Sequence, residues 1–312
     1  MPGNSSTPAD VGMQMFLITG AGGGIGGISR RVVAELRRAD RPVRALVRRD
    51  DARADGLRAL GAEVVVGDLT SPEDVARATR GVTRMFFNMS VSPEYVEASA
   101  VVSAVVRELG GVETVVNMSQ MTVSQMTLTS SEESRQQRLH WLSERVMNWS
   151  GIPVVHVRPT VFLDNPLFTV LGAASTRERG VLALPFGDGH TSPIAADDVA
   201  AVVVALLDEP VTTVGEVYEL TGPQVLDVAG LAEQFGRALG RPIAAEDLPT
   251  ERMLGLLSGS GLSEHVAQHI STMARLHRED RYNRATDDVR RVTGRPAQTV
   301  EQYVSAHREL FS

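Results

Sequence analysis

The sequence predicts an α/β protein with a doubly wound parallel sheet and a smaller, mostly helical C-terminal lobe. Short apolar, β-rich runs alternate with helical patterns over the first two thirds of the 312 residues, and a glycine-dense turn follows the first run. After about residue 161 this alternation loosens. Continuous apolar strands separated by helices indicate a parallel sheet covered on both faces. Right-handed crossovers then place the ligand crevice at the carboxyl ends of the strands.

Each element is predicted from its own apolar pattern. Strands are predicted at residues 13–19, 43–47, 63–66, 84–88, 114–118, 154–158 and 216–220. Helices are predicted between them at residues 26–38, 52–60, 72–79, 93–109 and 136–149. After about residue 161, helices are predicted at residues 167–179, 226–239, 251–258, 263–276 and 299–310.

Composition excludes several classes of function. The net charge of −7 argues against a nucleic-acid partner. The longest apolar stretch, residues 199–207, is too short to cross a bilayer, so no membrane partner is expected. The chain contains no cysteine and no lysine, which excludes thiol nucleophiles, cysteine metal sites and lysine Schiff bases. Residues 1–12 lack the pattern of a signal peptide, so a cytoplasmic location is expected.

The glycine-dense turn after the first strand is the most informative feature. Strand, glycine turn and helix together hold a pyrophosphate, because the exposed N–H groups and the helix dipole favour the anion. The glycines fit both GxxGxxG and GxxxGxG, so their spacing leaves the subfamily of dinucleotide fold open. The turn residues predicted to bind a dinucleotide are Gly20, Gly23, Gly24, Ile25 and Gly26.

The end of the second strand predicts which dinucleotide is bound. Arg48 stands where an NAD-preferring site usually carries a carboxylate for the ribose 2′-hydroxyl, and Arg49 follows it. An arginine can bind a 2′-phosphate through two hydrogen bonds, whereas a carboxylate repels it. The cofactor is therefore predicted to be NADP(H). The alternative is that both arginines are solvated and that Asp50 or Asp51 meets the ribose.

The ends of the next three strands supply the remaining cofactor candidates. Asp68 either accepts a bond from the adenine amino group, with Leu69 over the ring, or is a turn residue ahead of the next helix. Asn88 and Met89 end the fourth strand, where the nicotinamide-side ribose would run. Met118 ends the fifth, beside the reacting ring.

These residues resemble the short-chain dehydrogenase/reductase superfamily, and more closely its atypical NmrA-like branch, which includes quinone reductases and NADP-binding regulators. The resemblance runs through nearly the whole chain, at residues 19–26, 46–48, 67–69, 140–153, 157–159, 192–200, 220–223 and 287–295. It implies a disordered tail at 1–12, an NADP-binding Rossmann domain at 13–160, with 190–222 returning to it, and a substrate lobe at 161–189 and 223–312.

The chain departs from the superfamily at its catalytic pair. Mainstream relatives use Tyr-x-x-x-Lys, yet no lysine exists here and no tyrosine lies on the helix after the fifth strand. His140 and Glu144 stand there instead, one turn apart on the same helix face. His140 is either a proton donor held by Glu144, or a pocket residue with Glu144 bonded elsewhere. Ser119 is a second catalytic candidate and Gln120 a residue that orients the substrate.

The missing pair also constrains the substrate. Hydride addition to a simple ketone makes a basic alkoxide that needs a well-placed acid, whereas addition to a quinone gives a delocalised anion that water can protonate. The sequence therefore favours a conjugated acceptor.

Three further features remain open at this point. Phe162 begins an apolar run that forms either a substrate wall or the core of the lobe. His190 lies in a turn and is a candidate substrate contact. His265 and His269 have a spacing compatible with zinc, but they lack a third ligand and are interpreted as a solvated helix face. No metal site is expected.

The leading hypothesis is an NADP(H)-dependent oxidoreductase that reduces a small conjugated or aromatic carbonyl-type acceptor. Two alternatives remain: a non-catalytic NADP(H) sensor of the NmrA type, and a nicotinamide-dependent isomerase or epimerase. The expected partner is a small-molecule substrate, and the sequence leaves a homodimer open.

Overall fold

The computed structural model describes residues 14–23, 27–208, 213–258 and 262–312. Three of the predicted cofactor residues, Gly24, Ile25 and Gly26, and the predicted tail at 1–12 lie outside the described residues. Among the described residues, no helix is both long and apolar enough to cross a membrane.

A seven-stranded parallel sheet forms the centre of the molecule and confirms the predicted fold class. Its strands are β1 (Met15–Ile18), β2 (Val43–Val47), β3 (Glu63–Val66), β4 (Val82–Phe87), β5 (Thr114–Met118), β6 (Val154–Pro159) and β8 (Val217–Leu220). They lie in the order β3-β2-β1-β4-β5-β6-β8, and every pairing is parallel. The strand order reverses beside β1, which is the point where such sheets bind ligands.

Helices cover both faces of this sheet and build the lobe. In chain order they are α1 (Ile28–Arg38), α2 (Ala52–Ala59), α3 (Pro72–Thr79), α4 (Tyr95–Leu109), α5 (Arg135–Ser150), α6 (Ala173–Arg179), α7 (Ala196–Asp208), α8 (Val228–Leu239), α9 (Thr250–Ser258), α10 (Glu264–Arg278), α11 (Asp288–Thr293), α12 (Val300–Ala306) and α13 (Arg308–Phe311). A π-helical segment, Leu167–Gly172, leads directly into α6.

Side chains of β1 alternate between two hydrophobic cores. Phe16 and Ile18 pack in a core with residues of α1 and α7, whereas Leu17 packs on the opposite face with residues of α4. A strand buried on both sides reads as a continuous apolar run, which is why its sequence showed no polar alternation.

A third core fills the lobe. It includes Leu163 and Phe168, both with no exposed side chain, so these two residues belong to core packing rather than to a substrate wall. The lobe also holds a two-stranded parallel sheet, β7 (Val181–Leu184) and β9 (Ala244–Asp247). The sequence analysis missed this sheet because its strands have four residues each and β9 is largely exposed.

Two helices that matter for the site begin at well-defined caps. At the start of α5, Ser134 Oγ accepts a hydrogen bond from Gln137 N at 3.0 Å, and Gln137 Oε1 accepts one from Ser134 N at 2.7 Å. This capping box fixes the first turn of α5. Ser263 Oγ likewise accepts from Val266 N and starts α10.

Candidate active site and cofactor groove

Two adjoining cavities run along the carboxyl ends of the central strands, and we call them together the groove. The first has a volume of about 370 Å³ and lies beside the ends of β2 and β3. The second, about 310 Å³, lies beside the ends of β4, β5 and β6 and reaches α10. Both have Gly20, Gly23, Met89, Ser90 and Val91 in their walls, so one ligand can extend through both.

The floor of the groove requires glycine at Gly20. This residue has a φ of 65°, and a Cβ atom there would lie 2.5 Å from the backbone oxygen of Asn88. Gly23 also has a positive φ, of 124°, so two described members of the predicted turn adopt backbone conformations that side chains disfavour. The close approach of β1 to β4 explains why the chain carries glycine at this point.

A hydrogen-bonded network ties the end of β4 to the start of α1. Asn88 Nδ2 donates to Ser29 Oγ at 3.0 Å, and Ser29 Oγ donates to the Thr19 carbonyl at 2.7 Å. Asn88 lines the second cavity, as predicted, and this network fixes its position. The sequence analysis missed Ser29, although it also lines this cavity.

Three arginines, Arg48, Arg49 and Arg53, line the first cavity. The two carboxylates that could have met the ribose are engaged elsewhere. Asp51 accepts the cap hydrogen bond at the start of α2, and the side-chain hydrogen bond from Arg53 lowers its pKa to about 2. Asp50 accepts two hydrogen bonds from Arg58 and does not line the cavity. Positive charge therefore dominates this wall, and Arg53 is a wall residue that the sequence analysis missed.

Asp68 is a turn residue that also lines the first cavity, and its contact with adenine stays a prediction. Its Oδ1 accepts from Thr70 N at 2.9 Å and from Thr70 Oγ1 at 2.8 Å, which is the geometry of a turn residue. Its Oδ2 lies 3.4 Å from a guanidinium nitrogen of Arg48, and both Asp68 and Leu69 line the cavity. The hydrogen bond from Thr70 N is the largest cause that lowers the pKa of Asp68.

The second cavity brings together most of the predicted residues of the reacting end. Its wall includes Met118, Ser119, Gln120, His140 and Phe162. These residues come from β5, α5 and the segment after β6, and they are up to 44 positions apart in the chain.

His140 is a neutral imidazole with one unpartnered nitrogen. Gln136 Oε1 accepts from Ser92 N and from His265 Nε2, so the Gln136 amide nitrogen donates to His140 Nε2 at 3.2 Å. The ring hydrogen of His140 therefore sits on Nδ1, which is buried and has no partner among the described residues. Burial lowers the pKa of His140 to about 4.

Of the two arrangements left open for His140, the structure has the one in which Glu144 is bonded elsewhere. Glu144 is buried and pairs instead with Arg158, with its two carboxylate oxygens 2.9 and 2.6 Å from two guanidinium nitrogens. Burial is the largest single influence and would raise the pKa of Glu144, but the hydrogen bond from Arg158 and the nearby positive charges together outweigh it, so the pKa is lowered. The Arg158 guanidinium on β6 attracts the carboxylate more strongly than an imidazole that is neutral.

Ser119 lies between this ion pair and the cavity. Its hydroxyl is buried and has no partner with good hydrogen-bond geometry among the described residues. It is nevertheless close enough to Glu144 to help lower the pKa of that carboxyl. Gln120 Nε2 and Thr160 Oγ1 are also buried without a partner in the described chain, and both residues line the cavity.

The interpretation of the α10 histidines as a solvated face is wrong. His269 lines the second cavity, and its Nδ1 lies 2.8 Å from Ser134 Oγ at the start of α5. Burial lowers its pKa to about 3. Between the two histidines and just after them, Val266, Ile270 and Met273 also line the cavity. That apolar stripe was the sequence signal for a packed helix.

Tyr282 is a further wall residue that sequence reasoning missed. Its ring is stacked on His277 with centroids 3.8 Å apart, and His277 is stacked on Phe186 at 3.9 Å. All three side chains are buried. No local signal marks Tyr282, because the stack joins the segment after β7, α10 and the segment after α10 only in the folded chain.

His190 does not reach the groove. Its Nδ1 lies 3.1 Å from Asp280 Oδ1 on the surface, and it is absent from the walls of both cavities. The prediction of a substrate contact is therefore not supported by its position. Within the described ranges, no cluster of three or more metal-ligating side chains was found.

Comparisons with known proteins agree with this geometry. A sequence model of the NAD(P)H-binding family matches residues 23–210. An NAD(P)H azoreductase of Xenophilus azovorans is 32% identical over 93% of this chain and 97% of its own. The NADPH-dependent quinone oxidoreductase of Escherichia coli, solved with NADPH, superposes with a TM-score of 0.79 at 21% identity, covering 95% of this chain and 100% of its own. The negative transcriptional regulator NmrA, solved with NADP, gives 0.77 at 16% identity over 94% and 95% of the two chains.

Proposed function

Because this chain belongs to the NAD(P)H-binding family and is an NAD(P)H-dependent oxidoreductase, we propose that it is of the NmrA-like atypical short-chain dehydrogenase/reductase branch and that the rest of its chemistry is as follows. It prefers NADPH, and it reduces a small conjugated acceptor of the quinone type without a Tyr–Lys pair. The observation that carries the proposal is the unpartnered Nδ1–H of a neutral His140 in the wall of the second cavity.

The residues of the groove fit a phosphorylated dinucleotide. The backbone at Gly20 leaves no room for a Cβ atom, which is typical of a turn that lies directly under a pyrophosphate. At the other end, Arg48, Arg49 and Arg53 provide guanidinium groups for a 2′-phosphate. When bound, the reduced nicotinamide supplies the hydride.

The chain's own residues would bind the acceptor and stabilise the charge that develops on it. His140 Nδ1, Gln120 Nε2 and Thr160 Oγ1 are buried donors without partners among the described residues. Donors that are already fixed in a cavity of low polarity stabilise a developing oxyanion without reorganisation. Phe162 adds an apolar surface to the same wall.

The wall lacks a strong acid, which favours a conjugated acceptor. His140 is neutral above a pH of about 4. The Tyr95 hydroxyl beneath it donates to the Met118 carbonyl at 2.8 Å, and burial raises its pKa. Glu144 forms an ion pair with Arg158. A delocalised quinone anion can take its proton from water, whereas a simple alkoxide cannot form without an acid beside it.

The test is NADPH oxidation over a panel of quinones, azo compounds, enones and unactivated ketones, with NADH as the parallel reductant. We expect turnover with quinones and slow or no turnover with ketones. Efficient ketone reduction alongside no quinone reduction would contradict the proposed acceptor class.

The same panel separates the alternatives. A sensor of the NmrA type would bind NADPH tightly and oxidise it with no acceptor. An epimerase would turn over its substrate without net NADPH consumption. Unpartnered donors in a cavity favour the reductase, since a sensor has no acceptor to orient.

A further inference from the structure

A second imidazole lines the same cavity from a neighbouring helix. His140 lies on α5, whereas His269 lies on α10, and both line the second cavity. The two rings are close enough that positive charge on His140 would disfavour charge on His269. Neither His140 nor His269 lines the first cavity, at the cofactor end of the groove.

The hydrogen-bond pattern fixes which nitrogen of His269 carries the hydrogen. Ser134 Oγ accepts from Gln137 N, so its own hydrogen is free to be donated to His269 Nδ1 at 2.8 Å. The hydrogen of the neutral ring is then on Nε2. This nitrogen has no hydrogen-bond partner within the described chain, and its side chain faces the cavity.

We propose that His269 is a second substrate-binding residue, and that the site takes an uncharged acceptor with two hydrogen-bond-accepting atoms, such as the two carbonyl oxygens of a quinone. One oxygen meets His140 Nδ1–H and the other meets His269 Nε2–H. The quinone gains a hydride and a proton and becomes the hydroquinone, while NADPH becomes NADP⁺. This inference rests on the proposed function and names its substrate class.

The rest of the wall agrees with a flat, uncharged acceptor. Val266, Ile270 and Met273 present apolar side chains between and beside the two imidazoles. Arg30, at the cofactor end, is the one charged residue among the described wall residues of this cavity. A permanent charge beside the two imidazoles, away from Arg30, would therefore lose its hydration without gaining an opposite charge.

Two variants of His269 separate its two hydrogen bonds. In His269→Asn the shorter side chain can still accept from Ser134 Oγ, but it cannot place a donor at the position of Nε2. In His269→Gln the amide nitrogen reaches that position. Gln268→Ala is the matched control, because it removes another hydrogen bond between α10 and α5, to Arg135 N, without touching the cavity.

The measurement is calorimetric binding of 1,4-naphthoquinone and of its one-carbonyl analogue 1-tetralone to the NADP⁺ complex. For His269→Asn we expect quinone binding to weaken about five- to tenfold, the effect of one lost neutral hydrogen bond. Binding of 1-tetralone should stay within about twofold, and His269→Gln should recover most of the quinone affinity. The KM for the quinone should follow the same order, and Gln268→Ala should match the wild type.

Equal losses for both compounds in His269→Asn would overturn the inference, because they indicate a structural role. So would unchanged quinone binding in that variant. Binding is measured without turnover, so the two proposals can fail separately. If the protein binds the quinone tightly and through His269 but oxidises no NADPH, the proposed reduction is contradicted and the two-donor site is supported.

Discussion

At the scale of single residues, Arg48 is the residue that we expect to set the choice of cofactor. Its guanidinium lines the adenosine end of the groove, where the nearby carboxylates of Asp50 and Asp51 are held by other arginines. Arg48→Ala should weaken NADPH binding by about 1–3 kcal/mol, the size of a charge-assisted contact, and leave NADH binding nearly unchanged. Fluorescence titration with both nucleotides measures this difference.

Arg58→Ala is the control for that prediction, since Arg58 pairs with Asp50 outside the cavity. It should leave the preference for NADPH intact. Equal losses of NADPH and NADH affinity in Arg48→Ala would mean that the arginine does not distinguish the 2′-phosphate.

His140 belongs to the same scale and tests the reacting end. His140→Phe keeps the ring packed on Tyr95, whose centroid lies 4.3 Å away, but removes the Nδ1 donor. The kcat for quinone reduction should fall by roughly 10²-fold, as for loss of one donor to a developing oxyanion, while NADPH affinity stays the same. Steady-state kinetics beside a nucleotide titration separates the two effects.

The pH profile distinguishes a neutral donor from a proton-donating imidazolium. Since burial lowers the pKa of His140 to about 4, its neutral form persists through the range in which free histidine titrates. The kcat should therefore be flat between pH about 5.5 and about 8, without an inflection near the ordinary histidine pKa. A loss of rate centred near that ordinary value, absent in His140→Phe, would restore the proton-donor hypothesis.

Most residues at the cofactor end of the groove could be predicted from the sequence, whereas fewer of those at the reacting end could. The roles of the glycine turn and of the strand-end arginines could be predicted from the local sequence, because a single strand–helix–strand crossover brings them together. The sequence left the partner of Glu144 open because Arg158 is on β6, and spacing along α5 cannot show that contact. His269 was misassigned because only the packing of α10 on α5 buries it.

At the scale of elements, the close approach of the chain after β1 to the end of β4 requires glycine at Gly20. Gly20→Ala would force a Cβ atom to within 2.5 Å of the Asn88 backbone oxygen at a φ of 65°. We expect the free energy of unfolding to fall by about 1–3 kcal/mol and NADPH binding to be lost. Chemical denaturation and nucleotide titration measure the two losses.

Gly22→Ala is the matched control for stability. It lies two residues away, has no positive φ, and its Cβ would meet nothing within 4 Å. Its free energy of unfolding should stay close to that of the wild type. Equal stability of the two variants would show that the turn is looser than its geometry implies.

The elements of the main sheet were predictable because buried parallel strands are continuous apolar runs. All seven of its strands were predicted, with boundaries shifted by a few residues at most. The lobe was less predictable. The strands β7 and β9 pair across a gap of more than sixty positions, and the helix predicted at 299–310 divides at His307 into α12 and α13.

At the scale of the whole molecule, histidines whose pKa the fold lowers, among them His140, His269 and His277, should make stability depend on pH. Burial lowers the pKa of His140 to about 4, and those of His269 and His277 to about 3. Below the ordinary histidine pKa of 6.5, these side chains bind protons in the unfolded chain but not in the folded chain. Stability should thus be full above that pH and fall as the pH drops toward 4, by up to about 1.4 kcal/mol per pH unit for each histidine.

His277→Phe tests this directly, because a phenyl ring can keep the stack between Phe186 and Tyr282 while removing one titrating group. Urea denaturation at several pH values should give a shallower loss of stability for this variant than for the wild type. Parallel curves would mean that His277 is not held neutral in the folded protein.

The central claim, hydride transfer from NADPH to a conjugated acceptor in this groove, is tested most directly by a single turnover with enzyme in excess. The absorbance of the reduced nicotinamide is followed after mixing the NADPH complex with 1,4-naphthoquinone or with an unactivated ketone. We predict that the quinone removes the whole reduced-nicotinamide signal and that the ketone leaves it in place. A bound NADPH whose signal persists with every conjugated acceptor would contradict the account.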